Sequence, residues 1–208
     1  MQKEILFATT NPYKVERFQF YFNQLGLKVI SLADLPDKIR VEEDGKTPEE
    51  NAIKKAMTGY KTSGKPSFGV DYWLYIEGLS EAEQPGPHVR RIFVGDDGKR
   101  AEVNDEELLD YYIGKVKELG GRAKARWISS IALVTDPEKI FVGNNTRNAV
   151  FTSERSPKMT PGEPLNSIQI DPVTGKYYSE MSLEEWGRIQ GDIEQDYIYF
   201  MKEHINEI

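Results

Sequence analysis

The sequence predicts a mixed α/β protein. Two patterns carry that expectation: apolar runs of strand length alternate with amphipathic helical segments, and local capping signals open several of the helical ones. Neither an internal repeat nor a low-complexity linker interrupts the alternation, so the simplest organisation is one domain over residues 1–208, in two lobes.

Each element follows from its own residues. The apolar run Ile5-Leu6-Phe7-Ala8 reads as a first strand, and Val15, Phe18, Phe22 and Leu25 recur at helical spacing behind it. Lys28-Val29-Ile30-Ser31-Leu32 is a second strand. Thr47-Pro48-Glu49-Glu50 opens a helix, with Thr at the cap, Pro at the first helical position and Glu three residues after the cap. That helix continues through Asn51, Ala52, Ala56 and Tyr60, and Gly64 stops it. Ser67 to Gly78 reads as one or two short strands, Pro85-Gly86-Pro87 as a turn, and Ile92-Phe93-Val94 with Asp96-Asp97-Gly98 as a hairpin signal.

Asn104-Asp105-Glu106-Glu107 caps a helix that Gly120 and Gly121 end. Lys124 to Val134 and Lys139 to Thr152 are β-rich and joined through Asp136-Pro137, an antiparallel pair with Val134, Ile140 and Val142 on its apolar face. A proline-rich loop (Pro157 to Pro164) leads to Ile168-Gln169-Ile170-Asp171-Pro172 and a turn at Thr174-Gly175-Lys176. Ser182-Leu183-Glu184-Glu185 is a capping box, with a last helix running to about His204.

Composition narrows the function. The chain has no cysteine, which excludes disulfides and thiolate metal sites and suits a reducing compartment. It opens directly into a strand, without the apolar core of a signal peptide or an arginine-rich transit segment, and no run reaches membrane-spanning length. The expectation is a cytoplasmic protein with no membrane partner, and the sequon Asn144-Asn145-Thr146 is incidental. A net charge of −7 argues against nucleic-acid binding. It leaves room for a small anionic substrate, because a few lysines and a divalent cation can invert the field locally. His88 and His204 are the only histidines; neither sits in a nucleophile motif, and both are expected at the surface.

Four stretches could carry chemistry. Thr9, Thr10, Asn11 and Lys14 lie between a strand and a helix start, where N–H groups, hydroxyls, an amide and a lysine suit a phosphate; the same residues would also serve as a plain helix cap with a surface lysine. Glu42-Glu43-Asp44-Gly45 is an acidic loop before a helix. One of Lys54 and Lys55 should face inward with Asn51. Asp71 sits among apolar and aromatic neighbours at the end of a short strand, and such a carboxylate needs a lysine or a metal. Glu43 (or Glu42) and Asp71 offer hard oxygen ligands for Mg²⁺ shared with substrate phosphates, and Lys14, Lys55 and Lys176 could neutralise a triphosphate. Together they point to phosphoryl chemistry.

With those residues in view, the chain resembles the inosine triphosphate pyrophosphatase (ITPase) family almost end to end. Ala8-Thr9-Thr10-Asn11 with Lys14 is similar to the family's opening A-T-G-N-x-x-K, with Thr10 for glycine. Glu42-Glu43-Asp44-Gly45 followed by Glu50-Asn51-Ala52-Ile53-Lys54-Lys55-Ala56 resembles E-E-T-G and E-N-A-x-x-K-A. Asp171-Pro172, Lys176 and Ser179-Glu180-Met181-Ser182-Leu183-Glu184-Glu185 resemble Y-D-P, K-T and A-E-M-S-L-E-E.

Elsewhere the pattern is rewritten. D-D-S-G-L becomes Val70-Asp71-Tyr72-Trp73-Leu74, which keeps the second aspartate and loses the first. F-G-Y-D becomes Ile168-Gln169-Ile170-Asp171, without the aromatic that stacks on the purine. S-H-R, which reads the 6-oxo group, becomes Gln190-Gly191-Asp192, with Arg188 displaced nearby. Ala8 to Lys14 and Asp71 to Gly78 look more like the inosine/xanthosine triphosphatase branch, with A-T-T-N-P-x-K and D-F-W-V-x-I-E-x-G, which makes Glu77 a second candidate acid.

The resemblance implies a long mixed sheet with helices at both ends, two lobes around a central cleft, and a homodimer. It implies Mg²⁺-dependent hydrolysis of a non-standard or modified purine nucleoside triphosphate to the monophosphate and pyrophosphate. Asp71 would be the base and a metal ligand, and Thr9, Thr10, Asn11, Lys14, Asn51, Lys55, Tyr72, Asp171 and Lys176 would bind substrate. Tyr72, Trp73 and Gln169 could shape a different base pocket, although Trp73 fits the core equally well. Two other readings are a nucleotide-binding relative without turnover and an enzyme acting on another phosphorylated metabolite.

Overall fold

Parallel pairing organises the first half of the chain. In the computed structural model, which describes residues 2–37, 39, 41–95, 100–186 and 193–208, strand β1 (Lys3–Phe7) lies between β2 (Leu27–Ser31) and β3 (Ser67–Ile76), parallel to both. The sheet continues through β4 (Arg122–Asp136), β5 (Lys139–Thr152) and the two-residue β6 (Gln169–Ile170), in the order β2-β1-β3-β4-β5-β6. A two-residue turn joins β4 to β5, which only antiparallel neighbours permit, and β6 runs antiparallel to β5. The result is a long mixed sheet flanked by helices α1 (Pro12–Phe22), α2 (Pro48–Ser63), α3 (Asp105–Glu118), α4 (Leu183–Trp186) and α5 (Ile193–Glu203).

The chain packs into two compact units: Met1–Tyr72 with Ile128–Thr146 and Gly187–Ile208, and Trp73–Trp127 with Arg147–Trp186. In the first, aromatic rings fill the space under α1. Phe7 stacks on Phe68 at 4.3 Å, Phe18 meets Phe68 at 5.5 Å, and Tyr197 of α5 stacks on Phe18 at 5.6 Å. A second cluster, Ala52 and Ala56 of α2 with Ala132 and Val134 of β4, is made of small residues, so helix and sheet approach closely. The second unit buries Leu108, Leu109, Tyr112 and Val116 of α3 against Leu74, Ile76, Phe151, Leu165 and Ile168.

α2 is seated by two glycines. A Cβ on Gly69 of β3 would come within 2.5 Å of the Ala52 carbonyl oxygen and 2.8 Å of the Ala56 nitrogen, and one on Gly59 within 2.1 Å of Ser67 Oγ. Phe68 packs under α1 while Gly69 touches α2; neighbouring strand residues face opposite ways, so the two helices cover opposite faces.

Several expectations need correction. Leu25 falls in a short 3₁₀ turn after α1, where Arg17, Phe18, Tyr21 and Phe22 form the buried face instead. Residues 67–76 are one strand rather than one or two short ones, so Asp71 lies mid-strand and not at a strand end. Ile140 is 39% exposed and drops out of the hairpin's apolar face, while Val142 packs beside the buried Val134. His88 is half-buried, and His204 stacks on Phe141 at 4.2 Å and meets Phe200 edge-on at 4.8 Å, so neither is a plain surface residue. The capping box at Ser182 and Glu185 forms, but the helix after it is described only to Trp186. Asp96-Asp97-Gly98, Arg188 and Gln190-Gly191-Asp192 lie outside the described residues, although Val94 and Arg100 do bridge in antiparallel fashion. Among the described residues no helix is long and apolar enough to cross a membrane.

Candidate active site

Between β1 and β3 the chain leaves the sheet toward opposite faces, α1 on one side and α2 on the other. In open α/β sheets that switch point, at the carboxyl ends of the strands, is where ligands are held. The Thr9–Lys14 turn follows β1 there, level with the part of β3 just beyond Phe68, because Ala8 N donates to Phe68 O at 2.8 Å. Four residues of the first unit converge on the α2 side.

Asp71 is buried, its carboxylate shared between two donors: Lys55 Nζ to Oδ1 at 2.7 Å and Asn51 Nδ2 to Oδ2 at 3.2 Å. Lys55 Nζ also reaches Glu43 at 2.9 Å and the Val70 carbonyl at 3.3 Å. Asn51 accepts from Gly45 N at 2.7 Å, which draws the acidic loop onto the first turns of α2. The helix starts there because Thr47 caps Glu50 N at 3.1 Å and Pro48 takes the first position; Glu50 turns to Lys46 N rather than closing the capping box. Lys54, one residue off the inward face, pairs with Asp44 at 2.5 Å on the surface. Burial disfavours the Lys55 ammonium, but Asp71 and Glu43 outweigh it and hold its pKa above the ordinary value.

Two carboxylates thus already close on one cation. Among the described residues no group of three or more His, Cys, Asp or Glu comes together. The donor set fits a hard ion that takes one or two carboxylates and completes its shell with phosphate oxygens and water, as Mg²⁺ does. Glu42 is exposed, and Glu43 is the acid that faces Lys55.

The Thr9–Lys14 turn is less open to an anion than its sequence suggests. Asn11 Oδ1 accepts from Tyr13 N at 3.0 Å and Lys14 N at 3.3 Å, and Thr9 Oγ1 accepts from Asn11 N at 3.2 Å, so the helix caps itself. What remains for a phosphate on the turn is the Thr9 and Thr10 hydroxyls and the Asn11 side-chain N–H groups. Lys14 Nζ stands 5.2 Å from the centre of the Tyr72 ring. Strand alternation sends Tyr72 to the α1 side of β3 and Asp71 to the α2 side.

The second unit holds the other candidates. Asp171 is buried, and its Oδ2 accepts from Thr174 N and Thr174 Oγ1, both at 2.7 Å, closing its own turn. Lys176 pairs with Glu185 at 2.6 Å. Glu77 is exposed just beyond β3, its N–H held by Lys124 O at 2.8 Å. Gln169 is buried and accepts from Trp127 Nε1 at 2.7 Å; Trp73 is partly buried, with an indole N–H that has no acceptor among the described residues. Sequence reading missed the Gly45–Asn51 bond and the double pairing of Lys55. The only signal was the six-residue spacing of Gly45 and Asn51, which no general rule flags.

Comparison with known proteins agrees with this frame. A model of the Ham1 family matches residues 5–190. A dITP/XTP pyrophosphatase of Geobacter sulfurreducens is 35% identical over 180 residues, covering 86% of this chain and 86% of the relative. One from Mannheimia succiniciproducens is 29% identical over 192 residues, covering 91% and 92%. A solved HAM1 protein from Coxiella burnetii superposes with a TM-score of 0.71 at 24% identity, covering 97% of this chain and 99% of that one, which establishes the fold.

Proposed function

Because the chain belongs to the Ham1 family, we propose that it hydrolyses a non-standard or modified purine nucleoside triphosphate to the monophosphate and pyrophosphate, the class of reaction named for its relatives. The observation that carries this reading is the buried Asp71, held by Asn51 and Lys55 opposite Glu43 at the switch point of the sheet. Glu43 and Asp71 would hold Mg²⁺, which when bound supplies charge stabilisation to the phosphate oxygens.

Asp71 then accepts a proton from water. The water oxygen bonds to the α-phosphorus, the bond from that phosphorus to the bridging oxygen breaks, and pyrophosphate leaves. Lys55 and Lys14 neutralise phosphate charge, and the Thr9 and Thr10 hydroxyls donate to phosphate oxygens; positioning and electrostatics supply most of the rate. Roles for Asp171 and Lys176 rest on the family resemblance alone, as do a homodimer and a cytoplasmic location.

One observation favours a competing reading, a nucleotide-binding relative without turnover: Lys55 already neutralises both carboxylates. The deciding assay is pyrophosphate release with Mg²⁺ across deaminated, modified and standard triphosphates, with Asp71→Asn alongside. Release that falls by about 10²-fold or more in the variant supports the hydrolase. No release from any triphosphate, with binding intact, supports the competitor.

A further inference from the structure

One buried amide joins the two halves of the candidate site. Asn51 is 2% exposed, and both ends of its side chain are engaged. Its Oδ1 accepts from Gly45 N at 2.7 Å, on the loop that carries Glu43, and its Nδ2 donates to Asp71 Oδ2 at 3.2 Å, on β3. A backbone N–H can only donate, so the amide oxygen belongs to Gly45 and the amide nitrogen to Asp71. The side chain thus faces the protein in both directions, whereas the family resemblance implies that it binds substrate.

Gly45 shows how closely the loop is held. A Cβ there would stand 2.5 Å from Asn51 Oδ1 and 2.9 Å from Glu50 Cβ. Neither atom yields easily: the Asn51 amide is fixed at its other end by Asp71, and Glu50 Cβ is the root of a side chain on α2. Two further bonds from the loop to α2, Lys54 Nζ to Asp44 at 2.5 Å and Lys46 N to Glu50 at 2.7 Å, are exposed, where water competes and each contributes little. Lys55 reaches Glu43 only at the end of a flexible four-carbon stem. Asn51 is the short and buried link.

We propose, on the metal-dependent reading above, that Asn51 is a positioning residue. Its amide sets the separation of the Glu43 loop from Asp71, so that the two carboxylates meet a divalent cation as one preformed pair. With Oδ2 tied to Asn51, Asp71 presents Oδ1, the atom that faces Lys55 together with Glu43 Oε1. Groups that orient a ligand without touching the ion govern its affinity by about 10- to 100-fold. Gly45 acts through the same bond, although it carries no side chain to bind anything.

Mn²⁺ alone, titrated into the full chain without nucleotide and followed by electron paramagnetic resonance, tests this apart from turnover. Asn51→Leu, which keeps the branching of the side chain, and Gly45→Ala should each weaken Mn²⁺ binding about 10- to 100-fold, with every carboxylate retained. The double variant should be no weaker than Asn51→Leu, because both changes break one link. Thr47→Ala loosens the start of α2 but leaves the amide in place, and it should bind Mn²⁺ as the unaltered protein does. Unchanged affinity in Asn51→Leu or Gly45→Ala, additive losses in the double variant, or an equal loss in Thr47→Ala each overturns the proposal. If Asn51→Leu fails to fold, Gly45→Ala against Thr47→Ala decides it. No uptake of Mn²⁺ by the unaltered protein sinks the metal reading and the proposal together. Uptake with the expected pattern but no pyrophosphate release sinks the hydrolase reading alone and leaves the role of Asn51 standing.

Discussion

Lys55 touches Glu43 and Asp71 at once, and its removal leaves two carboxylates facing each other in a half-enclosed space. Lys55→Met should therefore cost roughly 3 kcal/mol of stability, the scale for stripping one partner from a buried pair. Mg²⁺ should restore part of that loss, raising the melting temperature of the variant more than that of the unaltered protein. The pH dependence has a definite sign. Burial lowers the Lys55 pKa, Asp71 and Glu43 raise it by more than burial lowers it, and the folded value ends above the ordinary 10.5. The folded state keeps the proton longer than the unfolded one, so this stabilisation is complete below the ordinary value and disappears as pH rises through the folded one. Urea unfolding between about pH 9 and 12, a window set around the lysine reference value, should show a steeper decline for the unaltered protein than for Lys55→Met. Asp71 and Lys55 were legible in the sequence because an acid among rings demands a partner. That Asn11 caps its own helix through the Tyr13 and Lys14 N–H groups was one of two readings the turn allowed, and its residues could not choose between them, since a cap and a phosphate cradle require the same residue types.

Whole elements respond differently from single contacts. Gly69→Ala would drive a methyl group against the backbone of α2 at Ala52 and Ala56, where nothing flexible can yield. It should destabilise by about 1–3 kcal/mol and lower turnover as well, because the shift separates Lys55 from Asp71. Thr47→Ala is the control: loss of the cap should cost about 1 kcal/mol with turnover retained, measured on the same melting and pyrophosphate assays. The α2 boundaries were readable because Thr47, Pro48 and Gly64 act within a few residues of themselves. β3 was not readable at full length. Ser67 to Asp71 are buried in succession, as in a strand covered on both faces, and this erases the alternation by which strands are recognised. Ile140 misled for the opposite reason, an apolar residue in alternating register that nothing covers.

At the scale of the molecule the tryptophans divide unevenly. All three, Trp73, Trp127 and Trp186, are end residues of the stretches that make up the second unit, so tryptophan fluorescence samples those ends, while far-UV dichroism also sees α1, α2 and α5 of the first. Strands β3, β4 and β5 each contribute residues to both units. One cooperative transition is expected, with the two probes coinciding across a urea titration; divergence would show separate unfolding. The α/β class was legible from alternation alone. Where the border between the two units falls was not, because each is assembled from separated stretches of chain and no linker marks it.

The two-residue turn after Asp136 has a consequence in time. β4 and β5 meet without waiting for any distant part of the chain, whereas β1 must find β3 across some sixty intervening positions. Loop closure sets the order of such events, so the hairpin is the natural nucleus and the two-residue β6 at the edge a late addition. Val134→Ala should slow refolding in stopped-flow traces, while Ile170→Ala should mainly hasten unfolding. The β4–β5 pair would then be the oldest part of the sheet each time the chain folds.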